Sequence, residues 1–262
     1  MITISIKDLS FHYPGTKNYI LKSFSWEREK PGMIGLLGTN GCGKTTLLRL
    51  MTRSLTPTQG SISYKNGDKK DFKRETNIVY VPENARLFLV GPTPQKDLNR
   101  IIKDQNHVDV LLKRFNFTNL AEKKLYHLSE GQRRLIAIFI AFQIQSRLLL
   151  LDEPTIGLDA RGRELLFHLL DQAKHQGKIV IVSTNDSRVF PQLDELIVIH
   201  KGTLFLQGSP REILFELEKK TELIPNQIVR LITSLEEEIS QKIPHCLTSE
   251  EFNRILHDNR LF

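Results

Sequence analysis

The sequence predicts an α/β fold with a mostly parallel sheet, an N-terminal antiparallel β-subdomain, an inserted helical subdomain and a short C-terminal helical extension. Three observations carry that reading. A glycine-rich loop lies between the apolar stretch 33–37 and the helix-like run 46–51. A fully apolar stretch, 148–151, ends in two adjacent acids, Asp152 and Glu153. Strand-like and helix-like stretches alternate through much of the remainder, as a layered parallel sheet requires.

Taken in order, residues 2–6 alternate like a strand, and Phe24, Ser25, Trp26 and Glu27 form a second one beyond the turn-rich segment 13–17. Tyr13, exposed by that turn, is either a face for stacking on a purine or an ordinary turn tyrosine, and spacing alone favours the second. Gly38, Thr39, Asn40, Gly41, Cys42, Gly43, Lys44, Thr45 and Thr46 then fit G-x-x-x-x-G-K-[ST] in full, which marks a P-loop NTPase core. The glycines let the backbone fold around a polyphosphate, Lys44 can reach its terminal phosphates, and the Thr45 hydroxyl can hold a magnesium ion. A helix start behind the loop adds free N–H groups and the positive end of a dipole.

Residues 60–67 alternate and end in an Asn-Gly turn, a hairpin signal. The short strand 78–81 stops at Pro82 and Glu83, after which Gly91, Pro92 and Pro94 precede helical stretches at 97–103 and 108–115. These form an insertion over about 83–128, closing at Leu128, Ser129, Glu130, Gly131 and Gln132. The helix at 133–145 is apolar nearly all round, as a buried helix is. Asp152 and Glu153 follow at the C-terminal end of a buried strand, where ligands bind in parallel α/β sheets. Asp152 can orient magnesium through water and Glu153 can polarise the water that attacks a γ-phosphate; the alternative is a pair of helix N-caps. A helix at 160–176, a strand at 179–182 tipped by Ser183, Thr184, Asn185 and Asp186, and a hairpin over 195–207 complete a domain of residues 1–210.

Residues 211–262 form the extension. Ser209, Pro210 and Glu212 make a capping box with proline at the first helical position. Ile228, Leu231, Ile232 and Leu235 mark an amphipathic face, and Thr248 with Glu251 caps a last helix carrying Phe252, Ile255 and Leu256.

Composition narrows the classes. The 262-residue chain has 37 Lys or Arg against 30 Asp or Glu, and the first 210 residues hold 30 of those bases and 20 of those acids. No zinc spacing or arginine-and-aromatic stripe accompanies that charge, so a solvated surface is expected and nucleic acid is not an expected partner. Only Cys42 and Cys246 occur, which points to a reducing compartment. The first residues lack the basic start and apolar block of a signal peptide, so no export signal is expected. The most apolar region, 135–151, is interrupted by Gln143, Gln145, Ser146 and Arg147, short of the ~18 to 20 residues of a membrane span.

With Gly38 to Thr46, Leu128 to Gln132, Asp152, Glu153 and then Gly157, Leu158 and Asp159 in this order, residues 2–210 resemble the ATP-binding cassette family of transporter ATPases. The resemblance implies that ATP and Mg2+ are the ligands, with Thr45, Asp152 and Glu83 toward the metal. It implies that Ser129, Gly131 and Gln132 cap the γ-phosphate held by a second cassette chain, identical or different, in a head-to-tail dimer. Asp159 would lie in a loop crossing that interface, and Tyr13 takes the place of the residue that stacks on adenine. Catalytic roles fall on Glu153, Lys44, Asn185 and Glu83. Three positions depart from the family pattern: Glu130 replaces a glycine, Glu83 a glutamine, and Asn185 a histidine that contacts the γ-phosphate.

The stretch 9–15 and the segment 224–231 are similar to energy-coupling-factor ATPases, which power uptake of vitamins or of cobalt and nickel ions. The implied role is an ATPase subunit on the cytoplasmic face of the membrane, docked on an integral membrane transporter subunit. Two alternatives stand beside it: a soluble cassette ATPase acting on nucleic acid or the ribosome, and a nucleotide-gated regulatory subunit with weak hydrolysis.

Overall fold

A computed structural model describes residues 2–66, 78–220, 227–239 and 242–259. The alternating apolar residues at the start make the smaller sheet. Strand β1 (Ile2–Phe11) pairs antiparallel with β2 (Leu21–Arg28) on one side and with β4 (Gln59–Asn66) on the other. The inward side chains Ile4, Ile6, Leu9, Phe24 and Trp26 are all buried. The expected antiparallel subdomain is thus present, with both strands longer than their apolar centres indicated. Gly67 of the expected Asn-Gly turn lies outside the described residues.

Short apolar runs make the larger sheet. Its order is β5 (Ile78–Val81), β6 (Leu148–Asp152), β7 (Ile179–Ser183), β3 (Gly32–Leu37), β8 (Glu195–His200) and β9 (Thr203–Gly208). Every neighbouring pair is parallel except β8 with β9, which form the expected antiparallel hairpin. Strands β3, β6 and β7 are buried along their whole length, which is why they read as unbroken hydrophobic stretches rather than as alternation. Helix α1 (Lys44–Met51) follows β3 across the glycine loop, and α5 (Ala160–His175) lies between β6 and β7 in the chain.

Between β5 and β6 come α2 (Pro94–Ile101), α3 (Gln105–Arg114) and α4 (Glu130–Gln143). Thr93 caps α2 with proline in its first turn, and Asp104 caps α3. The insert shares its core with the rest: Phe115 and Phe117 each put a ring 4.9 Å from that of Phe139 on α4.

The extension forms α6 (Pro210–Lys220), α7 (Gln227–Ile239) and α8 (Ser249–Asn259). The Ser209 hydroxyl accepts the Glu212 N–H, one of the two bonds of the expected capping box, and donates to the Glu212 carboxylate in place of the Ser209 N–H. The amphipathic face of α7 is rotated from the expected one: Val229 and Ile232 are fully buried, whereas Leu231 is 44 % exposed. Spacing of i and i+3 from Val229 outweighs the adjacent pair read from the sequence; Ile228 lies outside the described side chains. Arg211 fastens the last helix, donating to the His245 carbonyl and to Glu251 at 2.6 Å, while Phe215 stacks flat on the His245 ring at 3.6 Å.

Burial alone would raise the Glu251 carboxyl, but hydrogen bonds from the Leu247 N–H and the Arg211 guanidinium outweigh it and hold the group below the ordinary glutamate range. A carboxyl lowered by folding contributes stability that is present above its unfolded value and is lost as pH falls through its folded value. Glu251→Gln is expected to remove this acid-side dependence of α8 docking, at a cost under about 1 kcal/mol near neutral pH because the pair is partly solvated. Amide exchange in α8, followed in wild type and variant from about pH 7 to about pH 3, measures it.

Candidate active site

The site begins where β3 stops. Gly41 and Gly43 have φ of 80° and 112°, left-handed conformations that a side chain would strain, and they turn the chain into α1. Gly43 is the N-cap of that helix and supplies no side-chain cap, so the first N–H groups of α1 face the loop without an intrahelical partner. Lys44 is buried; its ammonium donates to the Gly38 carbonyl at 2.7 Å and lies 3.8 Å from the Glu153 carboxylate. Donors on the backbone and one buried cation make a cradle that fits a polyphosphate.

Asp152 is 3 % exposed at the end of β6. The Thr45 hydroxyl donates to its Oδ1 at 3.1 Å, the Ser183 hydroxyl donates to the same oxygen, and the Tyr80 hydroxyl donates to Oδ2 at 3.1 Å. Neither Asp152 nor Glu153 caps a helix, so the alternative reading of the pair falls. A threonine hydroxyl against a carboxylate is the hard-oxygen set that suits magnesium, and the residues fit that ion. Burial and the Asp152 charge together push the Tyr80 phenol well above its ordinary range, so it stays a donor.

Glu153 has φ 46°, a left-handed conformation for a residue that carries a side chain, at a cost of about 1 to 3 kcal/mol. Its N–H donates to the Ser183 carbonyl at 2.9 Å, which pins the bend. Burial chiefly raises its carboxyl above the ordinary range; Lys44 opposes that, while Asp152 and Glu83 add to it. The main chain at Asn185 weakly opposes that rise. The Asn185 amide itself is exposed and lies 3.5 Å from the Asn40 side chain. Tyr13 stands beside the loop, its hydroxyl 3.2 Å from that of Thr46 and its ring edge-on to Phe11.

These groups meet at one end of the parallel strands. Ser129, Gly131 and Gln132 instead form the first turn of α4. The Ser129 hydroxyl accepts the Gln132 N–H at 3.1 Å and the Gln132 side chain accepts the Ser129 N–H at 3.0 Å, a reciprocal cap. Asp159 is the N-cap of α5, accepting the Gly162 N–H at 2.7 Å. An open cleft of about 520 Å3 joins the two regions, lined among others by Thr45, Asp152, Glu83, Glu130 and Arg134. Cys42 is buried, and burial raises its thiol, so within the loop it acts as a small apolar filler.

Three residues escaped the sequence reading. Tyr80 looked like core inside an apolar strand, and Ser183 was visible only as part of a polar strand tip. Arg134 gave no signal on an apolar helix.

Gly131 has no room for a side chain: a Cβ there would stand 2.3 Å from the Gly157 carbonyl oxygen, which is backbone and cannot swing away. Gly131→Ala is expected to lift the start of α4 off the 156–158 loop and to cost about 1 to 3 kcal/mol in denaturant unfolding.

The ABC transporter family model matches residues 21–156. The energy-coupling factor transporter ATP-binding protein EcfA of Methanocaldococcus jannaschii is 30 % identical over 97 % of this chain and 96 % of its own length. EcfA1 of Staphylococcus epidermidis is 29 % identical over 80 % of this chain and 82 % of its own. Among solved structures, cbiO1 of Clostridium perfringens, part of the ABC transporter complex cbiONQ, superposes with a TM-score of 0.67 at 25 % identity, covering 88 % of this chain and 98 % of its own. A dimeric ATP-binding cassette in a post-hydrolysis state with ADP and Pi gives a TM-score of 0.69 at 23 % identity, over 79 % of this chain and 99 % of its own, and shares the fold. With a strand, a phosphate loop and two acids placed as described, the chain belongs to the ABC transporter family as one of its ATPase subunits, similar to those of energy-coupling-factor transporters.

Proposed function

We propose that residues 1–210 bind and hydrolyse MgATP to energise a membrane importer of the vitamin or transition-metal type, and that residues 211–262 are an extension of that catalytic domain. One observation supports this above the others: the Glu153 carboxylate lies beside Lys44 at the mouth of the phosphate loop, one residue beyond an Asp152 already aligned on Thr45. Similarity to EcfA proteins and to cbiO1 supports the transport role. Among the described residues no helix is long and apolar enough to cross a membrane, so the membrane-spanning part is assigned to a separate subunit. The chain would work on the cytoplasmic face, paired with a second cassette chain, its own copy or a different one.

In this reading Thr45, Asp152 and Glu83 hold the magnesium ion, which when bound draws charge off the phosphate oxygens. Lys44 leaves the Gly38 carbonyl for the terminal phosphates. Glu153, with its carboxyl raised by burial, accepts the proton of the attacking water. Tyr13 offers its ring to the base. Ser129, Gly131 and Gln132 serve the second chain's nucleotide from the start of α4, a helix N-terminus suited to an anion, and Asp159 stands near that contact.

Asn185 favours slow turnover. Its amide can donate a hydrogen bond but carries neither a charge nor a transferable proton, so a contact worth about 1.5 to 3 kcal/mol to a γ-phosphate is absent. Steady-state hydrolysis with the membrane partner present tests both points. Glu153→Gln is expected to lower turnover by about 10² or more with MgATP affinity retained, and Asn185→His to raise it about tenfold to a hundredfold. Unchanged turnover in Glu153→Gln contradicts the catalytic assignment.

A further inference from the structure

Arg134 is 2 % exposed, on a helix whose other inward residues, Ile136 to Phe142 among them, are apolar. Its guanidinium donates to the Glu83 carbonyl at 2.6 Å and to the Ile156 carbonyl. The Glu130 carboxylate lies 3.6 Å away, but that side chain is 72 % exposed, so the pair does little to offset the burial of the charge. The Nε is buried without a hydrogen-bond partner. An apolar side chain would suit this core better than an arginine with a donor left over.

What the arginine does secure is geometry. Its two carbonyls belong to segments 51 and 22 residues away, and both segments bear site carboxylates. Glu83 is itself one of them. Ile156 closes the turn that begins at Glu153, its N–H donating to the Glu153 carbonyl at 3.4 Å. Both bonds go to main chain, so they fix the two segments whatever side chain stands at 83. Helix α4 grips the second segment again through the close approach of Gly131 to Gly157.

We propose that Arg134 is a positioning residue of the nucleotide site: its buried guanidinium fastens the turn carrying Glu83 to the loop following Glu153, so that both segments respond to nucleotide as one body with α4. The inference rests on the ATPase reading given above for its kinetic consequence alone. Arg134 touches neither the phosphate loop nor Asp152, so its removal should spare binding and harm turnover.

The test uses Arg134→Met, which fills the volume without donors, and Arg134→Lys, which restores a donor. In the protein with its membrane partner, Arg134→Met is expected to bind MgATP within about threefold of wild type while kcat falls by at least about tenfold, and Arg134→Lys to recover most of that loss. Wild-type kcat in a folded Arg134→Met, or equal losses in binding and kcat with no recovery in Arg134→Lys, overturns the proposal. Amide exchange reads the same question without turnover and without Arg134→Met, should that variant not fold. In wild type, residues 84–89 and 156–158 are expected to gain protection together on adding MgATP, and in Arg134→Ala, which keeps neither donor, one segment is expected to gain it without the other. Joint protection that survives the substitution also overturns it. A wild-type protein that binds MgATP but never hydrolyses it sinks the ATPase reading and leaves the exchange result to decide Arg134.

Discussion

The hydrogen bonds converging on Asp152 tie the site together. Thr45 comes from α1, Ser183 from β7 and Tyr80 from β5, and all three hydroxyls donate to one carboxylate at the end of β6. Three adjacent parallel strands and the helix behind the phosphate loop are therefore fixed to each other by a single buried charge. A carboxylate held this way is oriented by neutral hydroxyl donors, which leaves its oxygens suited to a metal. Loss of that charge would unbalance donors on three elements at once, and each buried hydroxyl left unpaired carries a penalty of about 1 to 3 kcal/mol.

Glu153 stands one residue further on under opposite conditions. Burial and two neighbouring acids raise its carboxyl, and Lys44 alone among the named charges lowers it. Its surroundings thus move Glu153 toward a group that can take and release a proton. The left-handed backbone at Glu153 turns this carboxylate back toward Lys44 rather than along the strand direction. Strain of that kind persists where surrounding bonds fix it, and the bond from its N–H to Ser183 is one of them.

Much of this was legible in the sequence because it rests on local rules. Gly38 to Thr46 fits its motif with a strand before it and a helix after it, and the apolar runs 148–151 and 179–182 are long enough only for buried strands. The cap at Ser209 could be read from its three-residue spacing, whereas the reciprocal cap at Ser129 is shown by the structure. Other features escaped because they depend on pairing between distant segments. Nothing in an apolar strand marks Tyr80 as a partner of a residue 72 positions away, and nothing on an apolar helix marks Arg134 as a clasp. The face of α7 was misjudged for a related reason: with both Leu231 and Ile232 apolar, only the surface it packs on decides which one turns inward. The family resemblance located Glu83 and Asn185 as departures, yet the backbone roles they retain became visible only in three dimensions. Glu83 offers its carbonyl to Arg134, and the Asn185 main chain bears on the Glu153 carboxylate.

A site split between the phosphate loop of one chain and the start of α4 in another is the central physical claim, since Ser129, Gly131 and Gln132 lie at a separate helix start from the nucleotide cradle. Tyr126, 71 % exposed and just ahead of Ser129, is placed to report it. A photoreactive benzophenone side chain in place of Tyr126, activated in native membranes with and without MgATP, measures the contact directly. The expected product is an ATP-dependent crosslink to the nucleotide-binding face of a second cassette chain. A crosslink that forms equally without nucleotide, or only to proteins that are not cassettes, contradicts the shared site.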